Sequence, residues 1–96
     1  MKHSQADIIR EYGPFPGADQ VHGVTWVDGE LWHGTWENDQ SELRRIDPHT
    51  GEVQECLQMP PGKVVSGLEA DAGGDQFFCG GGISGRVRVV RRPRRA

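Results

Sequence analysis

Apolar and polar residues alternate along most of this chain in short runs, GVTWV, ELWHGTW and ELRRI, each bounded by turn chemistry such as Asp28-Gly29 or Asp47-Pro48-His49-Thr50-Gly51. Runs of about five to seven residues rich in Val, Ile, Thr and Trp, closed by Asp-Gly or by Pro and Gly, predict strands joined as hairpins. A fourth run, GEVQECLQMPPG, completes a set of four strands.

The set is then written again. HGVTW at His22 falls on SGLEA at Ser66, LWHGT at Leu31 on FFCGG at Phe77, and ELRRID at Glu42 on RVRVVR at Arg86, about 44 positions apart with a two-residue difference in one turn. The second copy stops after three strands, and its fourth has a counterpart at the other terminus. ADIIREYGPFPG aligns with GEVQECLQMPPG, setting Ile8 on Val53, Pro16 on Pro61 and Gly17 on Gly62. The chain therefore reads as one domain, 1–96, in three parts. Residues 1–21 hold an outer strand that closes the second unit, 22–62 the first unit, and 63–96 three strands of the second.

Four strands repeating every 40 to 45 residues or so is the pattern of a β-propeller blade. Two blades cannot close a ring, and propellers carry roughly four to eight. The expected fold is all-β, two four-stranded blades per chain completed as a six-bladed propeller by homotrimerisation; a tetramer would give eight blades. A two-sheet sandwich or an open sheet is the alternative, and it leaves edge strands bare and the matching terminal strand without a purpose.

Composition narrows the function classes. At 34% apolar and 26% charged residues, with mean hydropathy −0.64, the chain is lean for a 96-residue globule, and a partner surface would complete its core. Six of the eleven Lys and Arg residues crowd into RVRVVRRPRRA at the C-terminal end, against an overall net charge of −3. No stacking aromatics stand among them, so the tail reads as a solvated strand end and no nucleic-acid partner is expected. Cys56 and Cys79 are too few for a disulfide framework, and the N-terminal stretch lacks the apolar core of an export signal. Free thiols, a cytoplasmic location and no membrane partner follow as expectations.

The segment LWHGTWENDQSELRRIDPHTGEV, Leu31 to Val53, resembles the blade pattern of propeller-type glutaminyl-peptide cyclotransferases. In that pattern a strand of the form L-Y-E-G-T precedes S-L-R-x-(I/V)-D-x-x-T-G. HGVTWVDGELW is similar to the blade opening of the streptogramin lyase relatives, and more loosely to that of the gluconolactonase and regucalcin group. The resemblance implies a six-bladed propeller with its ligand site at the mouth of the central channel. His33 stands where the cyclotransferase pattern has an acidic residue, and the relatives carry all their blades on one chain.

In such a fold the innermost strand begins, and the second strand ends, at one face of the channel. That face gathers His22 and the TWENDQ connection from the first blade, and Ser66 and GGGISG from the second. His22, Glu37 and Glu69 are the candidate catalytic residues, and Trp36, Asp39, Ser66 and Cys79 the candidate substrate-binding ones. His22 repeated about a three-fold axis would form a ligand set for a divalent metal, the one cofactor the pattern suggests. Without a metal, a neutral His22 would serve as general base beside an acidic neighbour. Trp26 and Trp32 are expected in the core, and His33 is expected to be structural.

These residues point to a small-molecule lyase or hydrolase acting at the channel mouth, with a small-molecule substrate and further copies of the chain as its partners. A lectin-like sugar-binding propeller without catalysis is the alternative, with Trp36 stacking on a sugar face. A scaffold without activity, or a fragment of a longer propeller, is the third reading.

Overall fold

Each expected run from Gln20 onward forms a strand in the computed structural model, which describes residues 1–93. Strands β1 (Gln20–Val27), β2 (Glu30–Trp36), β3 (Glu42–Ile46) and β4 (Val53–Gln58) make one antiparallel sheet in chain order. Strands β5 (Gly67–Ala70), β6 (Gln76–Gly80) and β7 (Val87–Arg91) make a second. The β1–β2 turn puts Asp28 and Gly29 at φ 49° and 75°, and the β2–β3 turn puts Asn38 and Asp39 at 50° and 60°. Two successive residues of positive φ match the twist of the flanking strands in a tight hairpin, and Asn, Asp and Gly adopt that conformation most cheaply.

The repeat holds residue by residue. In the first sheet Thr25, Trp32 and Arg45 stand in one cross-strand row and Trp26, Leu31 and Ile46 in the next. The second sheet has Glu69, Phe78 and Val89, then Ala70, Phe77 and Val90, in the same relation.

The two sheets approach along β1 and β5, with β2 also reaching β5, and separate toward their outer strands. Gly23 permits this approach. It sits at φ +81°, and a Cβ there would run into the backbone nitrogen of Leu68 and come within 2.9 Å of the Gly67 carbonyl carbon. Its register shift is a β-bulge between His22 and Val24 that resets the alternation of β1. Thr25, the cross-strand partner of Trp32, faces the second sheet together with Val27, while Val24 and Trp26 point away from it.

Trp26 therefore leaves the expected core and is 60% exposed. Trp32 fulfils its expectation: it is fully buried against Phe77, ring centroids 5.1 Å apart. Leu43, Met59, Val65, Leu68 and Cys79 complete the core between the sheets.

Arg92 fastens the end of the sheet pair where β1 turns into β2. Its guanidinium donates to Glu30 Oε1 at 2.9 Å, to Asp28 Oδ2 and to the Gly74 carbonyl, and Trp32 Nε1 donates to the same Glu30 oxygen at 3.0 Å. The solvated strand end expected from the Arg-rich run is thus corrected at Arg92, which is buried because two carboxylates and a carbonyl replace its water. Arg94 and Arg95 lie outside the described residues.

The outer strand expected within residues 1–21 does not form in the single chain; no strand precedes Gln20. Pro14 and Pro16 remove two backbone donors, and Gly13 and Gly17 take positive φ, all unfavourable to a ladder. The segment instead lies over the first sheet on the side away from the second. Phe15 stacks on His33 at 4.7 Å, and Arg44 Nη1 donates to the Pro16 carbonyl at 2.8 Å. The Tyr12 hydroxyl donates to the Pro48 carbonyl. One chain makes two sheets and no closed ring.

Candidate functional site

The start of β1, the end of β2, the Met59–Val65 connection and the β6–β7 connection converge at one end of the sheet pair. His22 pairs with Gly34 across β1 and β2, and its ring lies against Trp36 with centroids 5.4 Å apart and planes at 54°. Trp36 in turn lies beneath Gly82, where a Cβ would come within 3.4 Å of the indole. Gly82 N donates to Ser66 Oγ at 3.0 Å, and Ser66 N donates to the Gly80 carbonyl at 2.9 Å. His22, Trp36 and Ser66 thus share one mouth.

His22 Nε2 is 2.6 Å from Gln20 Oε1, two residues earlier on the same strand face. With the amide oxygen as acceptor, Nε2 carries the hydrogen and Nδ1 is the basic nitrogen. Gln20 was not among the expected site residues, although its i, i+2 spacing from His22 is the signal that locates it. Ser66 Oγ accepts from Gly82 and still has its own hydrogen to give. The mouth thereby combines a proton acceptor, a hydroxyl donor and an aromatic wall. His22 is half-buried and Ser66 exposed, so it is open on the single chain.

Glu37 and Asp39 border this mouth on the β2–β3 hairpin. Glu37 and Gln40 exchange two backbone hydrogen bonds of 2.8 Å, and Asp39 occupies the exposed turn. Glu37 Oε2 reaches toward Gly17 of the N-terminal segment, 3.9 Å from where a Cβ would stand.

Two expected members lie elsewhere. Cys79 is 1% exposed in the core between the sheets, and burial pushes its thiol above the ordinary range. Glu69 is exposed on the opposite face of β5 from the buried Leu68, in one row with Phe78, and does not share a cavity with His22 within the chain. Among the described residues no group of three or more His, Cys, Asp and Glu side chains is placed to hold a metal ion, so the described residues of one chain offer no such group around His22. Two clefts lie away from the mouth. One of about 520 Å³ is lined by Asp75, Gln76, Val89, Arg91 and Arg92, and one of about 440 Å³ lies under Tyr12–Pro16 against Thr50–Val53.

His33, for which a structural role was expected, lies buried beneath Phe15 and away from the mouth. It is 2% exposed, its Nδ1 is 3.3 Å from the Gly34 carbonyl oxygen, and its Nε2 is buried with no hydrogen-bond partner. Burial holds its pKa below the ordinary imidazole value; the Gly34 carbonyl opposes this in part, and the neighbouring Arg44 charge, the smallest of the three effects, lowers it further.

No protein-family model matches the chain, and no solved structure matches it. Over 53 residues the chain is 42% identical to the cellulose synthase-like protein D5 of Arabidopsis thaliana. That stretch is 54% of this chain and 4% of the plant protein, so the similarity is confined to a short segment. Among the described residues no helix is long and apolar enough to cross a membrane.

Proposed function

We propose that the chain is one third of a homotrimeric, six-bladed ring that acts on a small molecule at its channel mouth by lyase- or hydrolase-type chemistry, with His22 as the proton acceptor. The oriented imidazole carries this reading: Gln20 at 2.6 Å directs Nδ1 as the base, and Trp36 at 5.4 Å supplies a wall for the substrate. The glycines of the β6–β7 connection leave room, and the Ser66 hydroxyl is available to a developing anion. The resemblance to streptogramin lyase and gluconolactonase blades supports the same class. Ring closure would set three His22 side chains around the axis, a set able to hold a divalent metal that polarises a carbonyl or activates water. Residues 1–19 would supply the outer strand of a neighbour's second blade.

The test is turnover of a panel of sugar lactones, cyclic esters and glutaminyl peptides by the wild type and by His22→Ala, with solution mass measured for both. Loss of turnover in a variant of unchanged mass is expected. Full turnover in His22→Ala would overturn the reading.

Trp36 favours a second reading, a sugar-binding propeller without catalysis, because its half-buried indole at the open mouth offers a stacking face. Silence on a glycan array by protein of trimer mass would remove it.

A further inference from the structure

Exposed large apolar side chains within the strands lie on two faces. Val24 and Trp26 are each 60% exposed on the side of the first sheet that faces away from the second. Phe78 and Val89 are 40% and 56% exposed on the far side of the second sheet. These faces are the outer surfaces of the sheet pair, and the internal repeat relates each to a surface already buried between the two sheets.

The relation is specific. At the buried interface the first sheet presents Thr25 and Trp32; their counterparts in the second sheet are Glu69 and Phe78, on its open face. The second sheet meets them with Leu68, Ala70 and Phe77, whose counterparts in the first sheet are Val24, Trp26 and Leu31, on the other open face. The two open faces are therefore the two halves of an interface the chain has already built once. Volumes compensate as well. Inside the chain a large Trp32 meets Phe77 beside a small Ala70, and on the open faces the smaller Phe78 stands opposite Leu31 beside a large Trp26. Thr25 Oγ1 accepts the Ala70 N–H at 3.1 Å, and the equivalent pair is the Glu69 carboxylate and the Trp26 N–H. The N-terminal segment agrees with this placement: Phe15 covers His33, the counterpart of Cys79, which the connection after β4 helps bury through Met59 in the same core.

We infer that the occupant of each open face is a second copy of this chain, docked head to tail, with Phe78 and Glu69 of one copy against Leu31 and the Trp26 backbone of the next. The inference rests on the ring reading above and specifies its contact. It also makes the two faces different in kind, because a heterologous contact joins unlike surfaces and propagates until the ring closes.

Solution mass by native mass spectrometry or light scattering tests it on the wild type, on Trp26→Arg and on Phe78→Arg, each alone and then mixed in equal amounts. Both positions are exposed in the single chain, so the substitutions leave its own core intact. Wild type at three chain masses, each variant at one, and the mixture at two are expected. The mixed pair keeps one intact face on each partner and so forms a single contact that cannot close, and that recovered contact also certifies that both variants are folded. Variants that remain trimers would overturn the interface while leaving the ring standing. A wild type of one chain mass would overturn both. A mixture without the two-chain species, or single variants that pair with themselves, would overturn the head-to-tail arrangement.

Discussion

The two ends of the sheet pair are built oppositely. At the β1–β2 turn, Arg92 is buried among Glu30, Asp28 and the Gly74 carbonyl, and this cluster ties the last strand of the second sheet to the first hairpin of the chain. At the mouth, the strands end in glycines, a hydroxyl and an imidazole, held by few bonds and open to solvent. The polar groups at one end are consumed by each other; those at the other still have a nitrogen lone pair and a hydroxyl hydrogen to offer. Structure is secured at the first end, and the second is left open to solvent.

Removing the buried cation should expose this difference most strongly. Arg92→Ala leaves Glu30, only 14% exposed, without its main partner and strips the Gly74 carbonyl of its donor. A loss of about 3 kcal/mol in urea unfolding is expected, typical of breaking a buried pair from one side. Asp28→Asn should cost well under about 1 kcal/mol, because that carboxylate is 66% exposed. A cost for Asp28→Asn equal to that of Arg92→Ala would mean that the cluster is not organised around the buried oxygen of Glu30.

The mouth end has a buried fastener between the sheets, and it should rank second. Ser41 is 2% exposed and its Oγ accepts the Val65 N–H at 2.9 Å, anchoring the connection between the sheets. Ser41→Ala orphans that N–H and should cost about 1–2 kcal/mol. A cost matching that of Arg92→Ala would erase the contrast between the ends.

A smaller, pH-dependent effect belongs to the face between them. Burial holds His33 below its ordinary pKa, so the unfolded chain binds a proton there before the folded chain does. Stability should therefore be full above about pH 6.5 and decline as pH falls from that value toward the depressed folded pKa, levelling off below it. Charging the imidazole also sets it against Arg44 beneath Phe15. Urea midpoints compared between pH 8 and pH 5 check this, and His33→Leu should flatten that part of the profile. A profile identical in the variant would assign the pH dependence to other groups.

Much of this architecture was legible in the residues because hairpin turns and alternating runs are local signals. Asp28-Gly29 and Asp47–Gly51 placed the turns, and the aligned copies occupy equivalent cross-strand rows in the two sheets. Facing was harder to read. The β1–β2 hairpin pairs Trp32 with Thr25 and Trp26 with Leu31, so the two tryptophans lie on opposite faces of the sheet and Trp26 is exposed in the single chain. Cys79 and Glu69 lie away from the mouth of the single chain for a related reason: alignment fixes a position along a strand but not the side of the sheet it faces. Arg92 was illegible because its partners lie 62 and 64 residues earlier, and nothing within a basic run marks the one arginine that turns inward. His22, Trp36 and Ser66 lie together because the strand ends that carry them converge at one end of the sheet pair.

The smallest effect on stability is expected from the substitution with the sharpest consequence for chemistry. Gln20 is exposed and its amide makes one side-chain bond, to His22, so Gln20→Ala should change unfolding by no more than about 0.5 kcal/mol. Without the amide oxygen, however, nothing on that strand face selects the Nε2–H tautomer or directs Nδ1 outward. The ¹⁵N shifts of the His22 ring should report a protonated Nε2 and a bare Nδ1 in the neutral wild type, and a mixture of tautomers in the variant. Turnover should fall about tenfold or more, a modest part of what a positioned base contributes, while His22→Ala abolishes it. Unchanged tautomer shifts in Gln20→Ala would show that the imidazole is held by something other than Gln20. The contrast between a locked end and a poised one would then lose the contact that makes the second end chemically distinct.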